Sequence, residues 1–236
     1  MMSHQNAKPI MFCLALLMLS LIPGCARTGN SQNGSDQTGG GSGTPPTFAD
    51  AQTAATQSLA TFKKLVTADN FRELGFDSAD QVAKANLGAP LRIYVVKLDQ
   101  LREYEPSKDA NSLLSESPQM YYPVTVDGQS RSSIVVEQVE GRWRSASFGN
   151  AGLAKQIASI SRANTAEASA ASTQVMVQIP ALGVFFLGSR NADNKLSLTS
   201  LAASDALGLK AGTTESAEQV FARLAPIAKN YNGLPM

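Results

Sequence analysis

The chain predicts an α+β fold, an antiparallel sheet made of a meander and a second hairpin with helices packed against it. Three observations point there. Amphipathic runs at helical spacing stand at both ends of the region from Phe48 to Met236; β-branched runs are broken by Asp127-Gly128 and Glu140-Gly141; and a second group of short apolar runs begins at Thr173.

Phe48 to about Val66 is alanine-rich, lacks Gly and Pro, and carries Leu59, Phe62 and Val66 at helical spacing, so it reads as a helix. A second short helix is expected from Ser78 to Ala85, with Asp77 as N-cap and Gly88 closing it. After Pro90 the run Leu91 to Leu98 is rich in β-branched and aromatic residues, which favours a strand. Asp99 to Pro118 is polar and turn-rich and reads as an irregular excursion.

Tyr121 to Val126 leads into Asp127-Gly128, a pair suited to a type I′ turn, and Ser133 to Val139 should return antiparallel to it. Glu140-Gly141 makes the next turn and Arg142 to Phe148 the third strand, which completes a meander. Asn150 can cap a helix bearing Leu153, Ile157 and Ile160 on one stripe, and Ala163 to Ser172 reads as a connection. Val175 to Ile179 and Leu182 to Leu187 are apolar on both faces, as in covered central strands, with Pro180 marking a bulge or bend between them. Lys195 to Leu201 should pair back across a turn at Asn191. A last helix is expected near Thr214, with Glu215 and Glu218 at its positive end, burying Val220, Phe221, Leu224 and Ile227 and bending or restarting at Pro226. The region 48–236 is read as one domain; a division into subunits 48–162 and 173–236 stays open, because the connection between them is featureless.

Upstream of this region, Lys8 precedes an uncharged apolar run from Ile10 to Ile22. At about 1.5 Å per residue such a run spans roughly 20 Å, short of the ~30 Å that a membrane-crossing helix needs, so residues 1–24 read as an export signal. Leu21-Ile22-Pro23-Gly24-Cys25 resembles the lipobox of bacterial lipoproteins. The resemblance implies cleavage after Gly24 and a lipid on Cys25, which would attach the protein to a membrane. Ala26 after the cysteine, where Asp would retain a lipoprotein at the inner membrane, implies the outer membrane, facing the periplasm, if the source has two membranes. Residues 25–47 then form a tether rich in Gly, Ser and Pro, too polar to repay ordering and with a reach of roughly 25 Å.

The charge balance is even: the whole chain carries +1, and loss of Lys8 leaves 19 basic and 19 acidic side chains. No nucleic-acid footprint is implied. The one histidine, His4, and the one other cysteine, Cys13, lie in the expected signal. The remaining chain therefore cannot build Ser-His-Asp or Cys-His machinery, nor metal or haem sites on His or Cys. No cofactor or metal is expected, and Asn191 to Asn194, with its alternating oxygen ligands, reads as a hairpin turn.

The meander with its Asp127-Gly128 turn and Gly141-Arg142-Trp143 strand resembles small exported modules of PepSY-like type over that stretch, and no functional position is carried over from it. The expectation is a noncatalytic envelope module that binds a protein or peptide, with Tyr94, Tyr121, Tyr122 and Trp143 as the candidate binding face. The alternative is an envelope hydrolase working through carboxylates, among them Glu103, Glu105, Glu137 and Glu140, or through a lysine.

Overall fold

The computed structural model describes residues 47–167 and 173–233. The expected signal, Cys25 and the tether up to Pro46 lie outside these residues. The first helix, α1, spans Phe48–Leu65 and starts on a capping box: the Thr47 hydroxyl accepts from the Asp50 N–H, and the Asp50 carboxylate accepts from the Thr47 N–H. Its buried stripe is mostly small, Ala51, Ala54, Ala55 and Ser58, closed by Phe62. That brings the helix close to the sheet, where Phe62 stacks on Phe148 at 5.7 Å.

The expected helix at Ser78 is a 3-10 turn, Ala79–Lys84, capped at Ser78 rather than Asp77. Its ends are closed by bonds three residues back, from the Gln81 N–H to the Ser78 carbonyl and from the Ala85 N–H to the Val82 carbonyl. Gly88 does not close it: its N–H donates to the Pro123 carbonyl at 2.7 Å. Strand β1, Asn86–Leu87, lies just before it. Strand β2, Leu91–Val96, ends two residues early because Leu98 opens a short helix, α2, Leu98–Arg102, that buries Leu101.

The excursion from Asp99 to Pro118 is only partly irregular. After a 3-10 turn at Ala110–Leu113, strand β3 runs from Leu114 to Val126, so the meander begins seven residues before Tyr121. The polar run Ser115 to Ser117 and Pro118 hid this strand, since both read as turn chemistry. Strands β4, Gln129–Val139, and β5, Arg142–Gly149, follow through two-residue turns. All four turn residues, Asp127, Gly128, Glu140 and Gly141, have positive φ, as a type I′ hairpin requires.

Helix α3 spans Ala151–Glu167, extending into the expected connection, and the Asn150 side chain accepts from the Leu153 N–H at 3.1 Å. Strands β6, Thr173–Ile179, and β7, Val184–Arg190, form an antiparallel hairpin. Pro180 lies in the 3-10 turn that joins them rather than in a bulge, because Gly183 at φ 65° lets the chain reverse. Strand β8, Leu196–Ser200, pairs back on β7 across Asn191. Thr214–Ser216 is a ninth strand, β9, so Glu215 is not in the first turn of the last helix. That helix, α4, spans Ala217–Asn230 from a Ser216–Gln219 capping box and does not restart at Pro226.

The fold is α+β. The nine strands form one sheet in the order β5-β4-β3-β2-β6-β7-β8-β9, with β1 beside β3. All pairings are antiparallel except β2 with β6, where Ile93 faces Met176. This central parallel contact joins strands drawn from both halves of the chain into one sheet.

Side chains alternate across a sheet, so paired residues share a face. The first face carries Tyr122, Val124, Ile134 and Val136 under α1, and Val175, Val177, Phe186 and Leu198 under α4 with Phe221 and Leu224. The second face carries Leu91, Ile93, Tyr121, Met176 and Leu187, packed on Ile157 and Ile160 of α3. Among the described residues one helix crosses this second face, and they leave part of the sheet there open.

Candidate functional site

The open part of the second face is a groove of about 350 Å³ beside the start of α3. Its floor comes from five strands: Ile93 of β2, Gln119 and Tyr121 of β3, Val135 and Glu137 of β4, Ser147 of β5, and Met176 and Gln178 of β6. Strand periodicity sets this lining, because Gln119 pairs with Glu137, Tyr121 with Val135, and Val135 with Ser147. Leu153 of α3 forms one wall, and Phe185 of β7, 39 % exposed, stands at the rim.

Tyr121 is the deepest polar group. Burial pushes its phenol up to about 12, so the hydroxyl is neutral at any ordinary pH. Ser133 opposes the shift weakly. Its hydroxyl donates to the Gly149 carbonyl, and the Tyr121 hydroxyl has no well-formed hydrogen bond among the described residues. The one carboxylate of the groove, Glu137, pairs with Arg144 at 3.4 Å. Amides, a phenol and an apolar floor can bind an uncharged surface; they do not supply two carboxylates for acid–base work.

The groove ends at β5, the last strand of the sheet, whose outer edge has no neighbouring strand among the described residues. Arg142, Arg144, Ser145, Ala146 and Ser147 are exposed along it. Ala146 is an extra residue, since Val135 faces Ser147 while Val136 faces Ser145, and this bulge puts Trp143 and Phe148 on the same face.

The four aromatic residues singled out from sequence do not share one surface. Tyr121 is 1 % exposed on the second face, and Tyr122 is 0 % exposed on the first, inside the core under α1. Tyr94 packs on the core under α4 with the Arg190 guanidinium 5.1 Å above its ring. Trp143 lines two clefts on the first face, whereas Tyr121 reaches only the groove on the second. Of the candidate carboxylates, Glu137 reaches the groove, Glu140 sits in the β4–β5 turn, and Glu103 and Glu105 follow α2. Sequence reasoning missed Gln119, Gln178 and Phe185. Alternation could place Gln119 with Tyr121, but nothing local indicates that β6 lies beside β2.

Two carboxylates among the described residues are held below their ordinary range by structural causes: Asp50 by the Thr47 backbone in the α1 capping box, and Glu215 by its hydrogen bond from Arg223. No described helix is long and apolar enough to cross a membrane, and no described group of His, Cys, Asp and Glu could hold a metal ion. No family model, curated protein or solved structure matches the chain.

Proposed function

We propose that this protein is a noncatalytic binding module of the bacterial cell envelope, held at a membrane by a lipid on Cys25, that takes an extended, uncharged segment of a partner polypeptide. The observation that carries this reading is the groove of the second face, lined by both apolar and amide side chains, running up to the edge of β5 that no described strand pairs. A segment laid there can add main-chain hydrogen bonds to the β5 edge and seat apolar side chains against Val135, Leu153 and Phe185. Gln119 and Gln178 can each donate and accept without selecting a charge. The lipobox resemblance and the polar tether supply the location.

The test is site-specific photocrosslinking in cells, with the reactive residue at Gln178 or Phe185 and a control at exposed Lys229 of α4. Both groove positions should capture one protein species, and Ala146→Trp, which fills the β5 side, should abolish it. Equal capture from Lys229, or capture unaffected by Ala146→Trp, would reject the groove as the binding site.

A further inference from the structure

On the opposite face of the sheet, a cleft of about 400 Å³ opens where the chain enters α1. Its lining combines an ion pair, Arg92 with Glu116, the amide of Gln138, the hydroxyl of Ser117, and two aromatic rings, Phe48 and Trp143. Gln138 and Trp143 are register partners across β4 and β5, which sets amide and indole side by side. Arg92 and Glu116 are each about half exposed, at 50 % and 54 %, so both can still reach a ligand. Phe48 is 47 % exposed, and the Trp143 Nε1 is buried with no hydrogen-bond partner among the described residues.

Trp143 is also a wall of a second cleft, about 330 Å³, between α1 and the β4–β5 turn. There Asp50, Thr53 and Gln57, at helical spacing on α1, face Arg142. The indole thus separates two polar clefts, each with one acid and one base.

We infer that the paired clefts around Trp143 form a binding site for a neutral oligosaccharide that straddles the indole. The chemistry of the lining selects this class. A pyranose ring has an apolar C–H face that packs on a flat aromatic ring, and an edge of hydroxyls that donate and accept at once. Arg, Gln and Ser supply donors, and Glu, Gln and Ser supply acceptors, beside Trp143 and Phe48. Glu116 and Asp50 oppose an anionic ligand, while Arg92 and Arg142 oppose a cationic one. Two clefts sharing one indole fit successive sugar rings better than a single sugar. This inference stands independently of the groove on the second face.

Trp143 is the only tryptophan of the chain, so its fluorescence reports on this site alone. The full-length protein, purified in mild detergent, is titrated with chitotetraose, cellotetraose and maltotetraose, with tetragalacturonate as the anionic comparison. A saturable change with at least one neutral tetrasaccharide is expected, confirmed by calorimetry. Gln138→Ala and Gln57→Ala, one in each cleft, should each weaken binding about tenfold, as for loss of one or two hydrogen bonds. Gln178→Ala on the opposite face should leave it unchanged, and melting temperatures should match the parent. Absence of a saturable change with every neutral sugar up to about 10 mM, weaker than specific recognition, overturns the inference. So does tighter binding of tetragalacturonate, or an equal loss from Gln178→Ala.

Discussion

Arg102 lies in a stretch that reads as polar excursion, yet its guanidinium donates to the carbonyls of Ala228 and Tyr231, each at 2.9 Å and more than 120 residues along the chain. Ala228 is in the last turn of α4, where its carbonyl also accepts from the Tyr231 N–H, and Tyr231 is the C-cap residue, so a cation there adds hydrogen bonds at the helix end and meets the negative end of the dipole. No local pattern marks an arginine for this task. Arg223 and Glu215 are a similar case: helical spacing places Arg223 on α4, and only the β9 pairing brings Glu215 back to it. The hydrogen bond from Arg223 holds the Glu215 carboxyl below its ordinary range. A carboxyl lowered in the folded state adds stability above its unfolded pKa and loses it as pH falls through the folded value. Glu215→Gln should therefore destabilise the protein at neutral pH, by no more than about 1 kcal/mol because the pair is partly solvated. The difference should shrink as pH falls through the lowered folded value and vanish in acid below it. Urea melts of both proteins across that range check it; a gap that persists unchanged in acid would show that the carboxylate charge is not its source.

At the scale of elements, signals that depend on neighbours in the chain are the legible ones. Asp127-Gly128 and Glu140-Gly141 specify their turns because only a few residue types accept positive φ at both positions. The stripe of α4 is also readable: Val220, Phe221 and Leu224 are all buried, while Ile227 is only partly so. The early start of β3, the strand β9 and the β2–β6 contact are not readable, since each is stabilised by a partner strand that no tight turn joins to it. The groove inherits this limit, because its floor needs β6 beside β2. For α4, Phe221 meets Tyr104 edge-on at 5.8 Å, and Leu224 is fully buried. Leu224→Ala should cost about 2–5 kcal/mol in chemical denaturation. Truncation after Ala211 removes β9 and α4 together, and uncovers Val177, Phe186 and Leu198. The truncated protein should aggregate or fail to fold; a monomer with the parent melting temperature would mean that α4 does not close this core.

At the scale of the whole molecule, the proposed attachment and the proposed recognition separate along the chain. No described helix is long and apolar enough to cross a membrane. The charge after the expected signal is balanced, 19 against 19, which gives no electrostatic attraction to anionic lipid. Cys25, in Leu21-Ile22-Pro23-Gly24-Cys25, is the one residue after that signal able to take a thioether-linked lipid. The polar stretch between Ala26 and Thr47 would let the folded region stand roughly 25 Å from the bilayer. Its end at Thr47 lies on the rim of the Trp143 cleft, so that cleft opens at the root of the tether and the β5 groove lies on the other face of the sheet. Membrane attachment should then rest on a single sulfur atom. In fractionated cells, Cys25→Ser should move the protein out of the membrane pellet without changing its melting temperature. A Cys25→Ser protein that still pellets after a high-salt wash and resists alkaline extraction would show that something other than a lipid on Cys25 holds it there.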